Sequence, residues 1–262
     1  MKIVNVIYFG VRNNSFRILI SKLRLKFSET FINEKEEATL WAEKHLTSLE
    51  DYLTNIDSKL FKETKLESSE IASRSIKIIQ KLRKNNIDLG GGGAVDLIYF
   101  CMRKLRPTHV LETGVAAGFS TFAILTAVQK NGFGKLDSSD LPYFRIKNPE
   151  KYIAIVVPEK LKNDNFRLLI KGDNQNLNYF LVGTHKYDLV HYDSDKRKIS
   201  RKKFFKRVKP WFSSSGVLIM DDIQDNLAFK EIVDENSLDF KVFMYDNKYV
   251  GMAFIGNSLL NL

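Results

Sequence analysis

The stretch His109–Thr121, HVLETGVAAGFST, begins as a buried strand, breaks at Gly114 and resumes as a helix after Gly118. A loop that leaves the carboxyl end of a parallel strand and enters a helix exposes backbone N–H groups, and glycines there let a ligand approach the main chain. Small residues at such a junction also serve close packing alone. The spacing fits a dinucleotide cradle poorly, because Val115, Ala116 and Ala117 separate the glycines where G-x-G-x-x-G is wanted. Glu112 also puts a negative charge where a phosphate would have to sit. A cofactor with a cationic amino-acid end suits the loop better.

Working outward, short apolar runs at residues 108–112, 135–139, 166–170, 187–192 and 217–221 read as strands, and each ends at a polar or acidic cluster. The segment FKVFMYDNKYVGMAFIG, residues 240–256, predicts two antiparallel strands about a turn at Asp246 and Asn247. The expected fold is α/β, a doubly wound Rossmann-like sheet closed by a terminal antiparallel hairpin. Upstream, Asn33 with Glu36 reads as a capping box opening one amphipathic helix through Leu60. Further helical stretches lie at residues 71–82 and 94–105, separated by the four glycines Gly90–Gly93. Residues 1–84 are expected to form a helical extension and residues 85–262 the α/β domain.

With 262 residues, 44% of them hydrophobic, the chain can bury a large core. Cys101 is the sole cysteine, which excludes an intrachain disulfide and points to a cytoplasmic protein. No run is long enough to span a bilayer, and residues 1–14 lack the pattern of a signal peptide. The net charge of +10 suits either an anionic partner or simple solubility.

The motifs resemble those of class I S-adenosylmethionine (SAM)-dependent methyltransferases, whose seven-stranded sheet ends in such a hairpin. LETGVAAGFS is similar to the cofactor loop of the metal-dependent O-methyltransferases, of catechol and caffeoyl-CoA type and of the bacterial kinds that methylate sugars and antibiotics. That resemblance implies that Glu112, Gly114, Gly118 and Ser120 face the methionine part of SAM, with Ser120 bonding its carboxylate. It places Asp140 on the ribose, Asp137 being the competitor, and Asp173 and Asn174 against the adenine. Asp193 ends the fourth strand and Asp221 with Asp222 the fifth, so three uncompensated carboxylates are expected at one point, which calls for a hard divalent cation such as Mg²⁺. The family has its metal ligands at the same three positions. Lys196, three residues after Asp193, matches the lysine that acts as base in the catechol-type enzymes. His191 reads as a structural strand histidine.

The loop after strand four, DSDK, lacks the N-P-P-Y pattern of enzymes that methylate exocyclic amines of bases, so a nucleic-acid substrate is not expected. The reading is methyl transfer to a hydroxyl of a small molecule or sugar. Nine Lys or Arg between Lys196 and Lys209 form a basic helix with Phe204, Phe205, Val208 and Trp211 on its apolar face. A solvated face packed on the sheet explains it; the rival is a noncatalytic protein binding an anionic polymer or membrane surface there. FRILISKLRLKF, residues 16–27, suits surface attachment, a homo-oligomer contact or a cover over the site.

Overall fold

The computed structural model describes residues 29–143 and 146–260. The readings on residues 1–14 and 16–27 lie outside them. Seven strands form one sheet in the order β3-β2-β1-β4-β5-β7-β6. They are β1 (His109–Thr113), β2 (Lys135–Ser139), β3 (Phe166–Leu169), β4 (Tyr187–Tyr192), β5 (Phe212–Met220), β6 (Phe240–Tyr245) and β7 (Lys248–Gly256). The first five are parallel, while β7 runs antiparallel to both β5 and β6, as the terminal hairpin predicts.

Seven α-helices flank the sheet among the described residues: α1 (Glu29–Lys44), α2 (Leu49–Lys84), α3 (Val95–Leu105), α4 (Phe119–Asn131), α5 (Asp173–Phe180), α6 (Lys198–Val208) and α7 (Ala228–Glu235). One apolar layer joins α2, α3 and α4 to one face of the sheet, with Tyr52, Phe61, Ile71, Phe100, Phe122 and Ile219 in the same cluster. The other face buries Phe180, Tyr192, Phe204, Phe205, Phe229 and Ala42. Both faces of the parallel strands are therefore covered, as a continuous apolar strand requires.

Three expectations need correction here. The first helix starts at Glu29 rather than at Asn33, and it stops at Lys44 instead of continuing to Leu60. Leu46 bridges Val242 and Thr47 N–H donates to Val242 O at 2.8 Å, which takes the chain out of the helix; Ser48 then caps α2. The long α2 is itself broken at Asp57, whose backbone is extended and whose Oδ1 accepts from Leu60 N–H. Finally, β5 begins at Phe212, which pairs with Tyr187 of β4, and Ser215 and Gly216 pair with Gly256 and Ile255 of the hairpin. No helix among the described residues is long and apolar enough to cross a membrane.

Candidate active site

The strand ends are tied together in a staircase. Asp140 N–H donates to Leu169 O, Gly114 N–H to Ser139 O, Asp193 N–H to Thr113 O and Asp221 N–H to Tyr192 O, all between 2.9 and 3.0 Å. Each donor is the residue just past a strand, so parallel pairing alone gathers four candidate residues on one edge. Gly114 sits at φ +85°, and a Cβ there would meet Asp193 O at 2.2 Å. Gly118 caps α4 at φ +98° and packs against Ala154 and Val157. Glycine is required at both places.

Glu112 is fully buried at the end of β1 and accepts from Ser120, Thr121 and Ser138 hydroxyls at 2.6, 2.8 and 2.7 Å. The sequence places Ser120 on a ligand carboxylate, whereas the structure shows its hydroxyl donating to Glu112. Beside it stands His191, 1% exposed, with Nδ1 3.9 Å from Glu112 and Nε2 3.5 Å from Asp221. Burial opposes a charged imidazole, but the two carboxylates overcome it and raise the His191 pKa to about 10. The same contact and the hydroxyl donors hold Glu112 low, although burial alone would raise it. His191 is thus a cation between the cofactor loop and the acidic strand end, a role that periodicity alone does not reveal.

Asp140 Oδ2 accepts from Ala116 N–H and Oδ1 from Leu141 N–H, each at 2.6 Å, which ties it to the glycine loop. Burial pushes its carboxyl up to about 7 despite those donors. Asp137 is committed elsewhere, to Arg167 at 2.7 and 2.9 Å and to Tyr187 at 2.7 Å. Asp173 opens α5 and accepts from Ser139 and Ser194 hydroxyls. Asn174 is exposed, its carbonyl bonded to Arg207; the buried amide of this turn is Asn176, which bonds Ser139, Leu169 O and Lys171 N–H.

Asp193, Asp221 and Asp222 line one cavity of about 460 Å³ with Gly91–Asp96, Tyr245, Asp246 and Lys248. Their charge is not uncompensated, which corrects the sequence expectation. Lys196 Nζ contacts Asp193 and lies 2.9 Å from Asp222, Lys248 lies 3.1 Å from Asp222, and His191 serves Asp221. Burial would raise Asp222, yet the two lysines hold it down to about 2. Lys196 is raised in turn by its carboxylates, against the lowering that burial would cause and that a base needs. Among the described residues no group of three or more His, Cys, Asp or Glu side chains stands ready-made to hold a metal ion.

The basic helix also differs from a uniformly solvated face. Arg201 is fully buried and donates to both Asp221 O and Asp222 O at 3.0 Å, which fixes the acidic turn. Lys198 pairs with Glu34 and Glu231, and Lys202 with Glu231 and Glu235, while Phe204, Phe205 and Val208 pack on the sheet. Arg201→Ala should destabilise the fold by about 3 kcal/mol, since it strands two buried carbonyls and leaves a void. Urea unfolding of both proteins measures this; an unchanged midpoint would show that water replaces the guanidinium.

Residues 111–223 match the model of a family described as a methyltransferase domain. Among solved structures, the O-methyltransferase TomG from Streptomyces achromogenes, involved in tomaymycin synthesis and bound to SAM, is 16% identical. That match covers 70% of this chain and 90% of TomG, with a TM-score of 0.55. An O-methyltransferase from Bacillus cereus in complex with S-adenosylhomocysteine (SAH) is 11% identical over 81% of this chain and 99% of its own, with a TM-score of 0.51. No curated protein matches the sequence significantly. At such identities the solved structures speak for the fold, and the family match falls on the segment from the cofactor loop to the acidic turn. The chain therefore shares its fold with these O-methyltransferases, and its residues 111–223 resemble a methyltransferase domain.

Proposed function

We propose that the chain transfers the methyl group of SAM to a hydroxyl oxygen of a small molecule or sugar. The observation that carries this reading is the shared wall of loop and cavity: Gly114 lies against the backbone of Asp193, while Gly91–Gly93, Asp193 and Asp221 border both. A sulfonium methyl on the loop and an acceptor oxygen in the cavity would meet there, and alignment of the two is the main contribution asked of the protein. In this reading Glu112, Gly114, Gly118 and Ser120 frame the methionine end, Asp140 takes the ribose hydroxyls, and Asp173 and Asn174 border the adenine. Incubation of the full chain with methyl-labelled SAM and a panel of hydroxyl acceptors tests it, the position of the label being read by mass spectrometry. Methylation confined to nitrogen, or SAM binding without transfer to any hydroxyl, would refute O-methyl transfer.

The donor set fits a hard divalent ion such as Mg²⁺ in kind. Asp193, Asp221 and Asp222 offer only oxygen, and Asp221 Oδ1 accepts no hydrogen bond. These three would hold the ion, which would polarise the acceptor oxygen as a Lewis acid. Lys196 reaches two of the same carboxylates, so its Nζ would lie beside an acceptor hydroxyl held there and would receive its proton. The raised pKa of Lys196 sets a condition on that role: the carboxylates must be engaged otherwise before it can act as a base.

Cofactor affinity should depend on pH through Asp140. Its folded pKa of about 7 lies above the ordinary carboxylate value. Its contribution to stability is therefore complete below about pH 4 and is lost as pH rises through about 7. Ribose hydroxyls donate to the ionised form, so SAM affinity should move the opposite way, rising about tenfold from pH 6 to pH 8. Calorimetry across that range checks it, and Asp140→Asn should flatten the profile. A profile equally steep in the variant would remove Asp140 from the cofactor.

A further inference from the structure

We infer that Gly91–Gly93 form a strap over the cofactor loop, and that it must lift to admit the methionine end of SAM and to release its product. The inference rests on the reading of Gly114–Ser120 as the cofactor loop. The three glycines line both the loop's own cleft and the acidic cavity beside it. That cleft encloses about 20 Å³, room for roughly one water and far too little for an amino-acid group. Gly92 rests directly on the start of α4, since a Cβ there would lie 2.2 Å from Phe119 Cγ and 2.3 Å from Phe119 Cβ. The strap is closed down on the loop in this conformation.

The cleft widens only where a wall gives way, and its walls differ in how they are held. Ala116 N–H donates to Asp140 Oδ2, while the Ala116 and Ala117 carbonyls accept from Ala154 and Val156 N–H at 3.0 Å, so the loop is pinned along its length. Gly114, Asp193 and Asp221 are tied to neighbouring strand ends. The backbone of Gly91–Gly93, between α2 and α3 in the chain, makes no hydrogen bond among the described residues. Displacing the strap therefore breaks none, whereas displacing the loop or the strand ends breaks at least one. The segment also has turning points. Gly90, just before it, stands at φ +80°, and Ala94, just after it, at φ +49°. Gly91 has nothing within 4 Å of an added Cβ, so no neighbour confines it. Glycines in succession open many conformations to the chain, which lowers the cost of leaving the closed one.

The test is the kinetics of SAH binding to the immobilised full chain, followed by surface plasmon resonance, beside calorimetry for the equilibrium constant. Gly91→Ala fits the closed strap, because its position is open and its φ is ordinary, and it restricts only the other conformations. Association and dissociation should both slow by about two- to fivefold, the range expected for one glycine replaced by alanine, with Kd nearly unchanged. Gly92→Ala should act the other way: its methyl group meets Phe119, the strap cannot seat, and SAH should leave at least about tenfold faster. Rates equal to the wild type in both variants would overturn the strap. Calorimetry separates this result from failure of the underlying reading. A wild type that binds no SAH rejects the cofactor loop and the strap with it, whereas binding whose rates neither substitution moves rejects the strap alone.

Discussion

Gly114→Val should abolish SAM binding and destabilise the fold by at least about 4 kcal/mol, at the upper end of single-substitution effects. Two costs add. The backbone at φ +85° is one that a β-branched residue scarcely adopts. The new Cβ would also lie 2.2 Å from Asp193 O and 2.5 Å from its carbonyl carbon, which are backbone atoms held by the Asp193 N–H bond to Thr113. Relief requires the ends of β1 and β4 to part, and their separation moves the cofactor loop away from the acidic cluster. Thermal unfolding with and without SAH checks this; a variant that keeps its stability and still binds SAH would show that the loop can shift on its own. Gly132, at the far end of α4, is also at positive φ but has nothing within 4 Å of an added Cβ, and it controls for strain alone.

Chelation should lower turnover on an accepted hydroxyl by on the order of 10³-fold or more while leaving SAM affinity nearly unchanged, if the proposed ion supplies the Lewis acid. The cofactor loop and Asp140 lie on other strand ends, so their contacts do not depend on the ion. Among the three carboxylates, Asp221→Asn is the informative variant. Asp222 sits at φ +54°, so alanine there would mix backbone strain with the loss of an oxygen. Asp221→Asn should reproduce chelation, whereas Lys196→Ala should lose about 10²- to 10⁴-fold in rate and keep the metal titration intact. Full activity in EDTA would reject the ion, and among the described residues Lys196, Lys248 and His191 would then be the cations that meet these carboxylates.

The sheet was legible in the sequence because each parallel strand is a short run ending in a polar or acidic cluster, and because a turn at Asp246–Asn247 divides two apolar runs near the end. Local pattern carried that information. The break between α1 and α2 was not legible, since it is caused by pairing of Leu46 and Thr47 with Val242, nearly two hundred positions away. The start of β5 was hidden for a similar reason: Phe212 pairs with Tyr187 of β4 and Ser215 with Gly256 of the hairpin, partners that local sequence does not show. In the site, the identity of the acidic residues followed from strand ends, but their electrostatics did not. Arg201 is indistinguishable in sequence from its eight basic neighbours, and only packing shows that it is the one drawn inside. His191 likewise gains its charge from Glu112 and Asp221, which lie on neighbouring strands.

Part of the lining of the proposed acceptor cavity comes from α2, through Ser68, Ser69 and Ala72, none of which lines the cofactor loop's own cleft. Two parts of the chain with different constraints therefore meet across a single space. The strand ends must keep a fixed geometry for the proposed chemistry, while Ser69 and Ala72 on this face of a long helix can be exchanged for larger side chains at the cost of cavity volume. Diversification of such a protein would be written first in α2, and replacement of Ser69 and Ala72, which line the cavity and lie outside the core, offers a route to new acceptors with the transfer machinery left untouched.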